Sequence, residues 1–251
     1  MPFRTLHVVF VSVLSSVLAL SAQTSATPNG TIQNTKATVD AARALIQEEA
    51  QAVQSIDHFE VSHQVDVTSV TPRYNQTTHA YVKTWVQRPG HIRAESKQYN
   101  HSETIVSDGS TTWVYDSRDQ KRWKQVGDVP PSLFSNAFPG LARQLSSANL
   151  PSVMTMAKVT GTELLTIAGR SYSSDVVDVI VAQSASNGTL QDNTLRLWIS
   201  REYKVPLKVE ATFVGVTSED RKKYSDYVTD FEPSLNIPAT VWKLDSSDDS
   251  K

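Results

Sequence analysis

Residues 103–116 read ETIVSDGSTTWVYD, a stretch with the pattern of two β-strands joined by a tight turn. An apolar run, Thr104 to Val106, enters a polar corner, and a second run, Thr111 to Tyr115, leaves it. Asp-Gly is among the strongest short hairpin signals because both residues tolerate a positive φ. We therefore predict that Asp108 and Gly109 form a structural turn.

A catalytic corner is the alternative interpretation of this stretch, with Ser107 and Asp108 acting in hydrolysis. A serine nucleophile of that kind stands in a Gly-x-Ser-x-Gly turn between a strand and a helix, with a histidine and an acid as partners. The chain contains no such pentapeptide, and this corner joins one strand to another. A structural turn is the favoured interpretation.

Alternation of apolar and polar residues with a period of two extends on both sides of this hairpin. Short strands of this kind, separated by turn residues, are typical of an antiparallel meander. The runs before the hairpin are 59–67, 80–86 and 91–95, a run at 121–125 follows it, and the later ones are 162–167, 174–182, 194–200, 205–214 and 223–231.

Two segments have helical periodicity instead. From Thr35 to Ile56, apolar residues recur every three or four positions, which predicts an amphipathic helix of five to six turns. Pro139 to Asn149 predicts a second, shorter helix. The expected fold class is α+β, mainly β: a single domain over residues 35–244, in which helices cover one face of a large antiparallel sheet.

The first residues predict export. Arg4, the apolar run Leu6 to Leu20 and the small residues up to Ala22 have the anatomy of a secretory signal peptide over residues 1–22. A membrane anchor is the alternative, but the run is shorter than the ~20 apolar residues of a span. Gln23 stands where a lipoprotein would have cysteine. We expect a flexible leader over 23–34, an acidic tail over 245–251, and a soluble protein in the periplasm.

Composition excludes several functional classes. The chain has 251 residues, a formal net charge of −2 and no cysteine. A near-neutral charge argues against a dedicated nucleic-acid-binding protein. Without cysteine there is no thiol catalysis, no thiolate zinc site and no iron–sulfur cluster. The exported protein must therefore be stabilised by core packing without disulfides.

The histidines and acidic pairs do not form a recognisable catalytic set. The histidines after residue 22 (His58, His63, His79, His91 and His101) lack the i, i+4 helical pair of a zinc protease. Assembly across strands, for example from His79 and His91, is the alternative to ordinary polar positions. The acidic pairs Asp175/Asp178 and Glu219/Asp220 would need to face each other across a cleft for glycosidase chemistry. We expect no enzyme, no metal and no cofactor.

Five stretches follow one another along the chain: the helix Ala41–Ile56 with the strand that begins at Phe59, VQRPGHIR at 86–93, IVSDGSTTWVYD at 105–116, LWIS at 197–200 with PLKVE at 206–210, and FEPSLNIPATVW at 231–242. In this order they resemble the LolA/LolB-type lipoprotein carriers and related lipoprotein-sorting proteins. The resemblance spans nearly the whole mature chain.

The resemblance implies an incomplete antiparallel β-barrel, a half-barrel whose helices cover a concave apolar face that holds acyl chains. It places Arg88 at the mouth of the cavity, where hydrogen bonds from Arg88 close the lid. Ile92 and Ala94 occupy strand positions where carriers commonly place bulky apolar residues. The cavity candidates are Val86, Ile92, Trp113, Tyr115, Leu197, Ile199 and Leu207. The sequence leaves open whether these residues form a filled core or line a cavity.

The expected function is therefore non-catalytic: a monomer that holds lipid or lipoprotein acyl chains in transport across the periplasm, as part of outer-membrane biogenesis. Its partners would be those chains and proteins of the inner or outer membrane, without nucleic acid. The alternative function is a periplasmic sensor or scaffold that uses the same fold to bind a protein. An exposed apolar patch without an enclosed cavity would favour that alternative.

Overall fold

The computed structural model describes residues 32–118, 120–127, 137–139, 154–184, 190–214 and 221–243. These residues form one α-helix, eleven β-strands and a short 3₁₀ helix, Ala239–Trp242. The helix α1 spans Ile32–Ser55, close to the predicted 35–56. The strands are β1 His58–Thr71, β2 Tyr74–Gln87, β3 His91–Gln98, β4 His101–Asp108, β5 Thr111–Asp116, β6 Lys121–Val126, β7 Met154–Ile167, β8 Arg170–Ser184, β9 Leu190–Ser200, β10 Pro206–Val214 and β11 Arg221–Pro233.

All eleven strands belong to one antiparallel sheet in the order β6-β5-β4-β3-β2-β1-β11-β10-β9-β8-β7. Each strand pairs with its neighbours along the chain, except that β6 and β7 do not pair with each other and that β1 pairs with β11. This single long-range pairing joins the wing β1–β6 to the wing β7–β11. The predicted mainly β, antiparallel fold is confirmed, and the described strands form an open sheet with β6 and β7 as its edges.

The wing β7–β11 curls toward one side. Although β7 is four strands from β11 in the sheet order, the two strands come into contact. The hydroxyl of Tyr172 on β8 donates to the carbonyl oxygen of Phe231 on β11 at 3.4 Å. Arg170 forms a salt bridge of 2.9 Å with Glu232. These contacts across the sheet define a concave side, so the sheet has the shape of a half-barrel.

The apolar residues of alternating strand positions face the concave side, and α1 packs there. Ala42, Ile46 and Val53 recur at helical spacing on one stripe of α1 and are buried against the sheet. Burial of each large aliphatic side chain contributes about 1.5–3 kcal/mol, so this stripe fixes the helix on the sheet. In the described part of the chain, no helix is long and apolar enough to span a bilayer. The second predicted helix lies outside the described residues, apart from Pro139.

Two turns touch at one end of the sheet. A Cβ placed on Gly90, in the β2–β3 turn, would lie 2.4 Å from the Cα of Gly109, in the β4–β5 turn. No side chain fits such a backbone contact. Gly109 also has a φ of 91°, a conformation in which glycine avoids the strain of a Cβ. Glycine at both positions therefore allows the β2–β3 turn and the β4–β5 turn to pack directly against each other.

The C-terminal segment crosses the outer face of β3 and β4, opposite α1. There the Arg93 guanidinium donates to the carbonyl oxygens of Val241 at 3.2 Å and Lys243 at 2.9 Å. The Trp242 ring lies 5.3 Å from the His91 ring. This segment covers part of the outer face and leaves the concave face to α1.

Candidate functional site

An aromatic cluster lies on the concave face beside the central strands β1 and β11. Its members come from five separate parts of the chain, and the ring centroids of contacting pairs are 5.0–6.4 Å apart. Tilted and edge-on arrangements at such distances are favourable for aromatic pairs. The cluster consists of Phe59 on β1, Phe138, Tyr172 on β8, Tyr203 in the β9–β10 turn and Phe231 on β11.

Phe138 differs from the other members because it belongs to neither helix nor strand. The short segment 137–139 is a bend whose three residues are all buried. Phe138 is 2% exposed, and its ring lies 5.0 Å from that of Phe59 and 5.4 Å from that of Phe231. The middle of the concave face is therefore occupied by a side chain that is not part of the sheet.

Arg88 binds the end of α1. Its Nε donates to the carbonyl oxygen of Ile56 at 3.0 Å, and its Nη2 donates to that of Val53 at 2.9 Å. The last carbonyls of a helix lack partners within the helix, and a cation there also favours the helix dipole. Burial lowers the pKa of the Arg88 guanidinium, and the charge of Asp57 opposes this effect. The guanidinium stays charged, because arginine is not deprotonated in proteins.

Five of the predicted cavity residues are buried on the concave face. Val86 and Ile92 pair across β2 and β3 and join the same cluster as Phe59 and Val53. Leu207 belongs to this cluster, whereas Leu197 and Ile199 join the second cluster beneath Ala42 and Ile46. In the structure these five side chains are packed against neighbours.

The two aromatic residues of β5 point the other way, which corrects their prediction as cavity residues. Val114 belongs to the concave cluster, and side chains alternate along a strand, so Trp113 and Tyr115 face the outer side. There the Lys124 ammonium lies 6.0 Å from the Trp113 ring, and the Arg122 guanidinium lies 6.0 Å from the Tyr115 ring. The sequence showed that the two residues share a face but not which face.

An open pocket of about 290 Å³ lies where β7 approaches β10 and β11. Its walls mix apolar and polar side chains: Leu165, Thr166, Ile167, Leu207, Lys208, Ser225, Tyr227 and Val228. Pockets for drug-sized ligands are typically about 300–1,000 Å³, so this pocket is at the small end of that range. Space for a long chain would require movement of α1 or of the segment 137–139.

A buried polar group divides the apolar concave face. The Nδ1 of His63 on β1 lies 2.6 Å from Oδ1 of Asp226 on β11, and the two side chains are 5% and 3% exposed. The hydroxyl of Tyr224 donates to Oδ2 of Asp226 at 2.9 Å. The other ring nitrogen of His63 and the hydroxyl of Thr84 on β2 are buried without a hydrogen-bond partner among the described residues.

The remaining histidines do not converge. His79 lies 2.7 Å from Asp66, and His101 lies 2.8 Å from Asp116. His79 and His91 stand at opposite ends of the β2–β3 pair. His58 is exposed at the start of β1. No group of three or more potential metal ligands occurs within the described ranges.

The predicted acidic pairs bind basic side chains. Asp178 makes two contacts, 2.6 and 2.7 Å, with the Arg196 guanidinium, which raises the pKa of Arg196. Asp175 lies 3.5 Å from Arg201. Each carboxylate thus has its own cationic partner. Glu219 and Asp220 lie outside the described residues.

The Ser107–Asp108 corner is a hydrogen-bonded hairpin turn. Oδ1 of Asp108 accepts hydrogen bonds from the backbone N–H of Ser110 and of Thr111, each at 2.9 Å. These bonds lower the pKa of the Asp108 carboxyl. The Ser107 hydroxyl is buried and donates to the carbonyl oxygen of Thr111 at 3.1 Å. The side chains of Ser107 and Asp108 therefore stabilise the hairpin turn.

Sequence reasoning missed Phe138 and the His63–Asp226 pair. Phe138 stands in a Pro- and Ser-rich stretch without periodicity, so no sequence signal marks it as buried. His63 occupies an apolar position in the alternation of β1, which could have marked it as a buried polar residue. Its partner is 163 residues away, and only the β1–β11 pairing brings the two together.

No family model matches the chain, and no curated protein matches it. Several solved structures are similar. The MucA/MucB complex of Pseudomonas aeruginosa matches at 14% identity with a TM-score of 0.46, covering 81% of this chain and 61% of that one. This chain thus corresponds to less than two thirds of the length of the matched protein.

Two further matches cover nearly the whole of the similar chain. LprF from Mycobacterium bovis matches at 11% identity with a TM-score of 0.39, covering 80% of this chain and 97% of that one. A LolA superfamily protein from Nitrosomonas europaea matches at 12% identity with a TM-score of 0.32, covering 81% and 98%. With TM-scores below 0.5, these similarities support no conclusion on the superfamily or the function of this chain.

Proposed function

We propose that this chain is an exported binding protein whose concave face takes up the apolar chains of a lipid or of a lipoprotein, without catalysis. The observation that carries the proposal is the position of Phe138. An apolar side chain from outside the sheet is inserted between Phe59 and Phe231 in the middle of the concave face. In this proposal, Phe138 occupies the place that an acyl chain takes when it binds.

The energetics of chain uptake need no catalyst. Each buried CH₂ group contributes about 0.8 kcal/mol, so a long chain gains on the order of 10 kcal/mol before the costs of ordering are subtracted. Displacing Phe138 from the aromatic cluster opposes this gain by about 1.5–3 kcal/mol, the value of burying one large side chain. The net free energy therefore favours binding of the chain.

In this proposal, Arg88 holds α1 in place over the concave face. It holds the carbonyl oxygens of Val53 and Ile56 at the end of α1, where the chain turns into β1. When these two hydrogen bonds open, the end of α1 is free to move away from Val86 and Phe59. In this proposal, Arg88 links the end of α1 to the turn that follows β2.

The proposal is tested with an acyl chain that carries an environment-sensitive dansyl group, titrated against the purified mature protein. Ala94→Phe adds a phenyl ring on the concave side of β3, where Ala94 is buried in the same cluster as Ile92. We expect at least tenfold weaker binding of the probe, because the added ring fills the space that the chain needs.

Lys97→Phe is the matched control, because it adds the same ring on the same strand at an exposed position. Its affinity for the probe should equal that of the unmodified protein. Native mass spectrometry of the purified protein adds an independent measurement, with co-purified lipid as the expected result. A protein that neither binds the probe nor carries lipid would contradict the proposal.

Binding of a protein partner is a second candidate function, and the edge strand β7 favours it. Among the described strands, β7 pairs only with β8, and it exposes the large apolar side chains of Met156 and Leu164. An exposed strand edge can accept an extended segment of another protein. Loss of a partner after Leu164→Lys, with unchanged binding of the acyl probe, would support this function.

A further inference from the structure

Among the buried side-chain atoms without a hydrogen-bond partner in the described part of the chain, two belong to diagonal neighbours on the concave face. They are Nε2 of His63 and Oγ1 of Thr84; the side chain of His63 is 5% exposed and Thr84 is 1% exposed. A buried polar atom without a partner costs about 1–3 kcal/mol. Two such atoms at neighbouring positions offer an acceptor and a donor to a bound polar group.

The register of β1 and β2 places these two residues next to each other. Val61 pairs with Thr84 and His63 pairs with Val82, so His63 and Thr84 are diagonal neighbours on the same side of the sheet. Diagonal positions are about 7–8 Å apart, a distance over which two side chains can reach one shared oxygen atom. The two atoms are therefore within reach of one shared ligand atom.

Asp226 fixes the orientation of the imidazole. With Asp226 ionised, Nδ1 carries the proton that is shared across the 2.6 Å contact, and Tyr224 donates to the second carboxylate oxygen. This arrangement holds Nε2 in a defined position, in the way that an outer carboxylate orients a functional histidine. In the neutral imidazole Nε2 is an acceptor, and in the imidazolium it is a donor.

The Asp226 carboxylate determines which ligand group fits. Its Oδ1 lies 2.6 Å from Nδ1 of His63. A second anion, such as the carboxylate of a fatty acid, would be repelled by it. A hydroxyl carries no charge, and it both donates and accepts a hydrogen bond.

We propose that His63 and Thr84 form a subsite for the hydroxyl group of the bound lipid, so that the ligand is a long-chain compound with a free hydroxyl, such as a monoacylglycerol. The ligand hydroxyl donates to Nε2 of His63 and accepts from Oγ1 of Thr84. Apolar side chains flank the subsite on both sides, Phe59 and Val86 toward the aromatic cluster and Val209 and Ala211 toward the N-terminal half of α1. The inference rests on the proposed lipid-binding function.

The first test compares an alcohol with the ether in which a methyl group replaces the hydroxyl hydrogen. Decan-1-ol and 1-methoxydecane compete with the dansyl acyl probe for the unmodified protein. The ether lacks the donor, so Nε2 stays without a partner, and the alcohol should bind about tenfold more tightly. Equal affinities overturn the hydroxyl subsite and leave the lipid-binding proposal intact. Failure of the probe itself to bind overturns both.

The second test removes one hydroxyl from the protein. Thr84→Val keeps the shape of the side chain, and we expect it to lower the preference for the alcohol about threefold. Without ligand, the stability of this variant should be unchanged or higher, because the lost hydroxyl has no partner. Thr112→Val is the matched control, since Thr112 is also buried with a partnerless hydroxyl but lies on β5. Equal effects of the two substitutions on the preference overturn the subsite.

The histidine is tested without mutation, because substitution of His63 would remove the hydrogen bond to the buried Oδ1 of Asp226. The ¹⁵N resonances of the imidazoles are followed during addition of the alcohol and of the ether. The Nε2 resonance of His63 should shift with the alcohol only, and His58, His79, His91 and His101 provide internal controls. An unchanged His63 resonance at saturating alcohol overturns the role of His63.

Discussion

Replacement of Phe138 by alanine tests whether a bound ligand displaces Phe138 or whether Phe138 is an ordinary core residue. Phe138 is 2% exposed and contacts Phe59 and Phe231. Truncation of such a residue typically lowers the free energy of unfolding by about 3–5 kcal/mol. For a chain of this length, each kcal/mol corresponds to about 2–4 °C in Tm, so the melting temperature should fall by about 10 °C.

The same substitution should strengthen ligand binding. A ligand that enters the unmodified protein must first expose Phe138, at a cost of about 1.5–3 kcal/mol. With alanine at this position most of that cost disappears, so the affinity for the dansyl acyl probe should rise about 10- to 100-fold. Fluorescence titration measures the affinity, and thermal unfolding with and without probe measures the stability.

Phe59→Ala is the matched control, because Phe59 is fully buried in the same cluster but belongs to β1. It should destabilise the protein to a similar extent without raising the affinity, since the strand does not leave the site when a ligand binds. Equal changes in affinity for the two variants would show that Phe138 is an ordinary core residue, and the reasoning on displacement would be refuted.

Three further predictions concern Arg88 and the turns. Arg88→Gln removes the charged hydrogen bonds to Val53 and Ile56 and should lower the free energy of unfolding by about 1.5–3 kcal/mol. Amide hydrogen exchange in the last turn of α1 should become faster. Unchanged exchange would exclude the proposed role of Arg88 in holding α1. Gly90→Ala should lower the free energy of unfolding by about 1–3 kcal/mol, because the added Cβ meets the backbone of Gly109. Gly169→Ala is the control: the space around Gly169 is open, so this substitution measures only the cost of a positive φ. The pKa of Asp108 is lowered in the folded protein, so its stabilisation is present above the ordinary value of 3.8 and is lost as the pH falls through the lower folded value. The stability advantage over Asp108→Asn should therefore be present at about pH 6 and disappear near pH 2 in urea titrations, and an advantage independent of pH would contradict this assignment.

The local parts of the fold could be predicted because they depend on neighbours in the sequence. The period of two gives the strands, the period of three to four gives α1, and the Asp108-Gly109 pair marks the β4–β5 turn. Arg88 was identified through the resemblance to the lipoprotein carriers, and the structure places it at the end of α1. Periodicity also groups Trp113 with Tyr115, but it does not assign either face of a strand to the core.

What the sequence by itself determined is therefore the set of strands and the first helix, together with the absence of cysteine chemistry. The tertiary structure decided which face of the sheet is concave, and thereby turned Trp113 and Tyr115 outward. It also inserted Phe138 between Phe59 and Phe231 and brought His63 to Asp226 across the β1–β11 pairing. The physical reason is that periodicity reports only that a residue is buried on some face, whereas partners more than 75 residues apart are chosen by strand pairing and packing.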